Sequence, residues 1–99
     1  MKHVMAKYKA KRDKIGEVRE AVAEFVDAVK KNEPGTLVYE AFQEVDGDSF
    51  VHIMTFKDDK AEQVHGSSDY VKKFVQLLYP YCDEEPVFTK LQLVRSNKR

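Results

Sequence analysis

Two histidines, His52 and His65, are the side chains of this chain best suited to acid–base chemistry. An imidazole changes charge near neutral pH, so either ring is a candidate to take a proton from a bound molecule. His52 falls inside the apolar run SFVHIMTF, and His65 opens the stretch HGSSDYVKKF. The alternative for His52 is a ring buried at a seam between two copies of the chain and satisfied by a neighbour's hydrogen bond. The alternative for His65 is a ring bonded to loop backbone near a helix end. The third histidine, His3, is expected at the surface or at a sheet edge.

Aromatic and sulfur-containing side chains near these histidines have the chemistry of binding-site walls. Tyrosine hydroxyls offer hydrogen bonds to a polar substrate, while phenylalanine and methionine exclude water. The alternative is that these residues, at strand or helix spacing, simply form the core. We predict catalytic roles for His52 and His65 and substrate contacts from Tyr39, Phe42, Met54, Phe56 and Tyr70.

Several other kinds of site find no support in the sequence. The three histidines lack the spacing of metal ligands, and no phosphate-binding loop, serine elbow or dinucleotide fingerprint is visible. We therefore expect no metal and no cofactor. The 17 basic and 17 acidic side chains balance, which argues against nucleic-acid and membrane partners. Cys82 is the only cysteine, so we expect no internal disulfide and a cytoplasmic location.

Hydrophobic periodicity predicts six main elements in the order β-α-β-β-α-β, with one extra short helix. This order is typical of a ferredoxin-like α+β domain, and we expect residues 1–99 to form one such domain. The predicted elements are a strand in 1–11, a helix capped by Asp13 and ended near Asn32, strands at 36–45 and 49–56, a short helix at 58–65 broken by Gly66, a helix capped by Ser68 and ended by Pro80, and a strand at 86–94.

The two middle strands are apolar on both faces. In the run 49–56, Val51 and Ile53 alternate with Phe50, Met54 and Phe56. Two helices cover only one face of a four-stranded sheet, so we expect a helix-free face with phenylalanine and methionine side chains. At roughly 25 cal/mol per Å², covering several hundred Å² contributes on the order of 10 kcal/mol before association costs. We therefore expect a homodimer that stacks sheet against sheet, with a small-molecule pocket in each protomer.

Three stretches, EPGTLVYEAFQ, FVHIMTFKDDKAEQVHGSSDYVKKF and EPVFTKLQLV, resemble the antibiotic-biosynthesis monooxygenase family of dimeric α/β barrels. The shared features are Glu33-Pro34-Gly35 before the second strand, an aromatic residue, Phe56, at the end of the third, and the helix entry from His65 to Ser68. The resemblance covers nearly the whole chain. It implies a ferredoxin-like protomer, a homodimer and a relative of cofactor-free quinone-forming monooxygenases, haem-degrading enzymes and signal-processing isomerases.

The chain departs from the family pattern at positions that bear on chemistry. Phe56 stands where the family's third strand commonly ends in tryptophan, and His52 takes the place of a polar partner on the same strand face. Tyr70 stands where a second histidine often occurs. The later part of the helix that contains Tyr70 reads Phe74, Val75 and Gln76. It lacks the iron-ligating histidine of haem-degrading relatives, which disfavours haem degradation.

The resemblance implies a cofactor-independent monooxygenase that acts on a small aromatic or quinone-like substrate. In this hypothesis His52 or His65 removes a proton, and the resulting substrate anion reduces oxygen. Tyr39 and His65 are the candidate donors to that anion, and Phe42, Met54 and Phe56 exclude water. The alternatives are an isomerase or lyase of the same fold and a dimeric module that binds a small ligand without catalysis.

Overall fold

Four antiparallel strands form one sheet in the computed structural model, which describes residues 1–99. The strands are β1 (Lys2–Lys9), β2 (Thr36–Gln43), β3 (Ser49–Phe56) and β4 (Val87–Leu91). Their order across the sheet is β2-β3-β1-β4, which places β3 and β1 in the centre. This topology confirms the predicted ferredoxin-like α+β fold.

Three helices connect the strands: α1 (Ile15–Asn32), α2 (Asp59–Ser67) and α3 (Asp69–Leu78). Short 3₁₀ turns at Arg12–Lys14 and Tyr79–Tyr81 precede α1 and follow α3. The side chain of Ser68 accepts a hydrogen bond from the Val71 amide, which confirms the predicted cap of α3. None of the helices combines the length and apolar character needed to cross a membrane.

Several predicted element boundaries differ from those of the structure. Asp13 does not cap α1, because a 3₁₀ turn occupies residues 12–14 and no side chain caps the helix. Gly66 does not break the short helix, which Asp58 caps and which runs on to Ser67. The last strand is shorter than predicted, since pairing with β1 ends at Leu91.

The two faces of the sheet carry different side chains. The face toward the helices carries Val4, Ala6 and Tyr8 from β1. It also carries the β3 residues Phe50, His52, Met54 and Phe56, all at most 4% exposed. The open face carries other apolar side chains, most of them aliphatic. They are Met5, Val38, Phe42, Val51, Ile53, Val87 and Leu91. The aromatic and methionine side chains of β3 therefore lie against the helices rather than on the open face.

Two clusters of buried side chains form the core between the sheet and the helices. The larger joins β1 and β3 to α1 and α3, and includes Tyr8, Phe25, Phe50 and Phe74. The smaller consists of Val4, Ala6, Met54 and Phe56 at the other end of the two central strands. His52 pairs with Ala6 across the ladder, and a cavity lined by members of both clusters opens beside it.

Candidate active site

A cavity of about 270 Å³ lies between the sheet and the helices. The sheet supplies one wall and helices α2 and α3 supply another, with Phe25 contributed by α1. The lining is mainly apolar, so a bound molecule would be largely removed from water. The polar side chains of the lining are Tyr8, Tyr39, His52, Glu62, His65 and Tyr79.

His52 is held on the sheet side of this cavity by two tyrosines. The Tyr8 hydroxyl lies 2.7 Å from Nε2 of His52, and the Tyr39 hydroxyl lies 2.7 Å from Nδ1. Only 2% of the His52 surface is exposed. The ring is thus buried and bonded, as the alternative for His52 held, but it does not lie at a seam between two copies. Its partners come from the same protomer, and the ring faces the helices.

Burial fixes the charge state of this three-residue chain. Desolvation lowers the pKa of His52 to about 4, so the ring is neutral at neutral pH. Desolvation likewise raises the pKa of the Tyr8 and Tyr39 hydroxyls well above the usual value for tyrosine. A histidine with a low pKa and two occupied nitrogens is poorly suited to act as a general base near neutral pH.

His65 lies near the end of α2 and is bound to a buried carboxyl group. Its Nδ1 is 2.9 Å from one oxygen of Glu33 and 3.2 Å from the other. The Glu33 side chain is 1% exposed and that of His65 is 12% exposed. The ring therefore bonds a carboxylate rather than loop backbone, which rules out the alternative suggested by the sequence.

Two hydroxyl groups complete the surroundings of Glu33. Thr36 donates a 2.6 Å hydrogen bond to the oxygen nearer His65, and the Tyr70 hydroxyl donates to the other. Burial first, and then the bond to Glu33, raise the pKa of Tyr70 to about 12, so Tyr70 keeps its proton to donate. Glu33 thus accepts hydrogen bonds from Thr36 and Tyr70 in addition to its contact with His65.

The geometry leaves Nε2 of His65 free for chemistry. This nitrogen has no protein hydrogen-bond partner, yet no buried side-chain polar atom is left unpaired, so Nε2 is accessible. His65 lines the cavity, with the Phe56 ring centred 5.2 Å and the Tyr39 ring 5.6 Å from its own. In an oriented general base, one nitrogen of the imidazole bonds a carboxylate and the other nitrogen is accessible to the substrate. His65 has this arrangement.

A close backbone approach positions α2 and its histidine. A Cβ atom added to Gly35 would lie 2.8 Å from the Cβ of Ala61, in the first turn of α2. Only glycine permits this contact without a shift of the helix. The Glu33-Pro34-Gly35 segment therefore supplies both the carboxylate that binds His65 and the space that lets α2 approach β2.

The structure brings together most of the side chains predicted to form the site. His52, His65, Tyr39, Met54 and Phe56 all line the cavity. Phe42 does not, because it lies on the open face of β2 and is 52% exposed. Tyr70 does not line the cavity either, but reaches the site through its bond to Glu33.

Two residues of the site were missed from the sequence. Glu33 was recognised only as part of the family feature before the second strand, and its contact with the site is made to His65, 32 positions away. Tyr8 was not singled out from the sequence; it is buried on the helix-facing side of β1, and its hydroxyl bonds His52 across the β1–β3 ladder. One signal in the sequence could have pointed to Tyr8. It is the only tyrosine among the alternating apolar residues of β1, the strand that pairs with the strand containing His52.

No group of three or more His, Cys, Asp or Glu side chains is arranged to hold a metal ion. The chemistry open to the residues present is proton transfer at His65 and hydrogen bonding at the tyrosines. A ferredoxin-like sheet with an apolar cavity and an oriented histidine thus defines a small α+β protein equipped for acid–base chemistry on an apolar molecule.

The chain belongs to the family described as antibiotic biosynthesis monooxygenase, whose family model matches residues 1–77. No curated protein matches the chain at a significant level. The family membership confirms the resemblance seen in the three sequence stretches above.

Solved structures agree on the fold. A candidate antibiotic biosynthesis monooxygenase from Caulobacter crescentus is 26% identical, with a TM-score of 0.88, and the match covers 95% of this chain and 90% of that one. A structure described as antibiotic biosynthesis monooxygenase is 23% identical, with a TM-score of 0.88 and coverage of 96% and 100%. A conserved protein from Methanosarcina mazei Go1 is 23% identical, with a TM-score of 0.84 and coverage of 92% and 90%.

Proposed function

We propose that this protein is a cofactor-independent monooxygenase that oxidises a small aromatic or quinone-like substrate. The observation that carries the proposal is the Glu33–His65 pair at the wall of a mainly apolar cavity. Membership of the antibiotic biosynthesis monooxygenase family supports the reaction class. The cavity volume of about 270 Å³ supports a small molecule rather than a polymer.

The reaction begins with proton removal by His65. Its Nε2 takes a proton from a substrate C–H bond that neighbouring carbonyl or phenol groups have made acidic. The resulting imidazolium is stabilised by the Glu33 carboxylate 2.9 Å from Nδ1. His65 rather than His52 is the base in this scheme, because both nitrogens of His52 are already bonded and its pKa lies near 4.

Oxygen then reacts with the substrate anion. The electron pair left on carbon passes to O₂, a carbon–oxygen bond forms, and the proton held by His65 completes a hydroperoxide. Loss of water from the hydroperoxide gives a carbonyl group. In sum a CH₂ group and O₂ become C=O and H₂O, so no external reductant is needed. The apolar walls, including Met54 and Phe56, exclude bulk water from these steps.

The test is oxygen consumption by the purified, metal-free protein with a panel of hydroxylated aromatic ketones and hydroquinones. We expect at least one member to be oxidised with one O₂ consumed for each molecule of product. Turnover of a panel member that continues without oxygen would contradict the proposal and favour an isomerase or lyase. Tight binding of panel members without turnover of any would favour a binding module.

We also propose that the protein acts as a homodimer in the cytoplasm, formed by residues 1–99 as one domain. The open face of the sheet supports the dimer, since Phe42, Val87 and Leu91 are 52%, 63% and 41% exposed there. A second copy is the simplest cover for this apolar surface. The free thiol of Cys82 fits a reducing compartment.

Ile53→Lys tests the dimer, because Ile53 lies on the open face of a central strand. Sedimentation equilibrium should show a dimer for the wild type and a folded monomer for the variant. A wild-type protein that sediments as a monomer at high concentration would contradict the dimer. The matched control is Lys7→Arg, on the same face, which adds no new charge.

A further inference from the structure

The chain Tyr8–His52–Tyr39 has more protons than internal hydrogen bonds. Each tyrosine hydroxyl carries one proton and a neutral imidazole carries one, which makes three. The two 2.7 Å contacts use two of them. Whichever tautomer His52 adopts, one tyrosine accepts from the ring and keeps its own proton unused.

The three groups are neutral for reasons that the structure shows. His52 is 2% and Tyr8 is 5% exposed, and burial disfavours both imidazolium and phenolate. The pKa of His52 near 4 and the raised pKa of both tyrosines support the same protonation states. The count of three protons therefore holds across the neutral range.

The unused proton has no protein acceptor. His52 is the only hydrogen-bond partner of either tyrosine hydroxyl, and both tyrosines line the cavity. The Tyr39 ring is centred 5.6 Å from the His52 ring and 5.6 Å from the His65 ring, so Tyr39 packs against both histidines. A donor without a partner in an apolar cavity is satisfied by a ligand that brings its own acceptor.

We propose that Tyr8, His52 and Tyr39 form a recognition site that donates one hydrogen bond to a carbonyl or phenolate oxygen of a small aromatic ligand. The site selects aromatic ligands in which the acceptor oxygen and the group next to His65 are carried by the same ring or by adjoining rings. His52 is a positioning residue here, because it touches the ligand only through the hydroxyl that it orients. This inference rests on the proposed function only in taking the cavity as the ligand site.

In the proposed reaction the same donor stabilises the substrate anion. Proton removal by His65 moves negative charge to the conjugated oxygen, and an apolar cavity would otherwise make that charge costly. The tyrosine hydroxyl meets that oxygen without giving up its proton. No atom is transferred at this site, and the hydroxyl acts only as a hydrogen-bond donor.

The test compares two probes that differ at one oxygen, para-nitrophenol and para-nitroanisole. The methyl ether keeps the ring but has a weaker, more crowded acceptor oxygen. We expect the wild type to bind para-nitrophenol at least about 10-fold more tightly, the factor given by a hydrogen bond with a charged partner. Titration calorimetry in the absence of turnover measures both affinities.

The informative variant is the double substitution Tyr8→Phe and Tyr39→Phe, which removes both hydroxyls and keeps both rings. It should bind the two probes within about 2-fold of each other while its affinity for para-nitroanisole stays near that of the wild type. The control is His3→Gln, which lies outside the cavity and should keep the preference for para-nitrophenol. A double variant that still prefers para-nitrophenol would overturn the proposal.

A second measurement needs no substitution. In a crystal structure of the wild type with para-nitrophenol, the phenol oxygen should lie within hydrogen-bonding distance of the Tyr8 or Tyr39 hydroxyl. An oxygen bound elsewhere would overturn the proposal even if the double variant did not fold. A protein that shows the preference but oxidises no substrate would contradict the monooxygenase proposal alone, and oxygenase activity without the preference would contradict the recognition site alone.

Discussion

Two histidines line one cavity, and their neighbours give them opposite properties. His52 bonds two neutral hydroxyls, is sealed from solvent and has a pKa near 4. His65 bonds a buried carboxylate through one nitrogen and leaves the other accessible. The comparison shows that burial and hydrogen-bond partners together decide whether an imidazole can accept a proton or instead orients a donor.

The largest effect expected from this difference is on the stability of the protein in acid. The folded state keeps His52 neutral down to about pH 4, while the unfolded chain takes up a proton near 6.5. The unfolded state therefore binds more protons in this window, and the free energy of unfolding should fall by about 3 kcal/mol as the pH decreases through it. Urea unfolding at several pH values measures this slope.

The variant His52→Phe isolates the contribution of the histidine. It lacks the titrating ring, so its stability should depend less steeply on pH than that of the wild type over the same window. Equal slopes in the two proteins would show that His52 takes up its proton at the same pH in the folded and unfolded states, and would remove the distinction between the two histidines.

The next effect concerns the carboxylate that orients His65. Glu33→Gln keeps the size of the side chain and removes the charge that stabilises the imidazolium. We expect kcat to fall about 10-fold to 100-fold with little change in KM, because this interaction strengthens only after proton transfer. Steady-state kinetics with an identified substrate measures both constants.

Glu24→Gln is the matched control, since Glu24 is exposed on α1 and forms an ion pair with Lys73 at the surface. Its kinetic constants should match those of the wild type. If Glu33→Gln also retained its full kcat, Glu33 would have only a structural role, and its carboxylate would not assist His65 in catalysis.

The smallest expected effect is on the placement of α2. Gly35→Ala places a Cβ atom 2.8 Å from that of Ala61, so α2 must shift and the protein should lose about 2 kcal/mol of stability. Gly16→Ala is the control, because its added Cβ meets nothing within 4 Å, and it should stabilise α1 by up to about 1 kcal/mol. Thermal unfolding distinguishes them, and equal melting temperatures would show that the contact is unimportant.

The fold could be predicted from the sequence because strand and helix periods recur along it. Residues 49–56 were predicted as a strand and form β3 with those bounds, since the run is apolar on both faces and bounded by turn residues. Gly66 was misjudged, because glycine only weakens a helix, and here α2 continues one residue further.

The candidate site was only partly predictable for a different physical reason. His52 and His65 stand out by residue type, but their properties depend on Tyr8 and Glu33, which lie 44 and 32 positions away. Such pairings depend on strand register and on the packing of α2, and no local pattern encodes them. Phe42 was grouped with the site by residue type, although the alternation of β2 places it on the other face.

The most direct test of the account is the turnover of His65→Gln beside the wild type, with His3→Gln as the control. His3 bonds Thr55 and does not line the cavity, so its variant should keep wild-type turnover. We predict that His65→Gln loses about 100-fold to 10,000-fold in kcat while its unfolding curve stays close to that of the wild type. A folded His65→Gln variant with wild-type kcat would contradict the assignment of the base and the mechanism built on it.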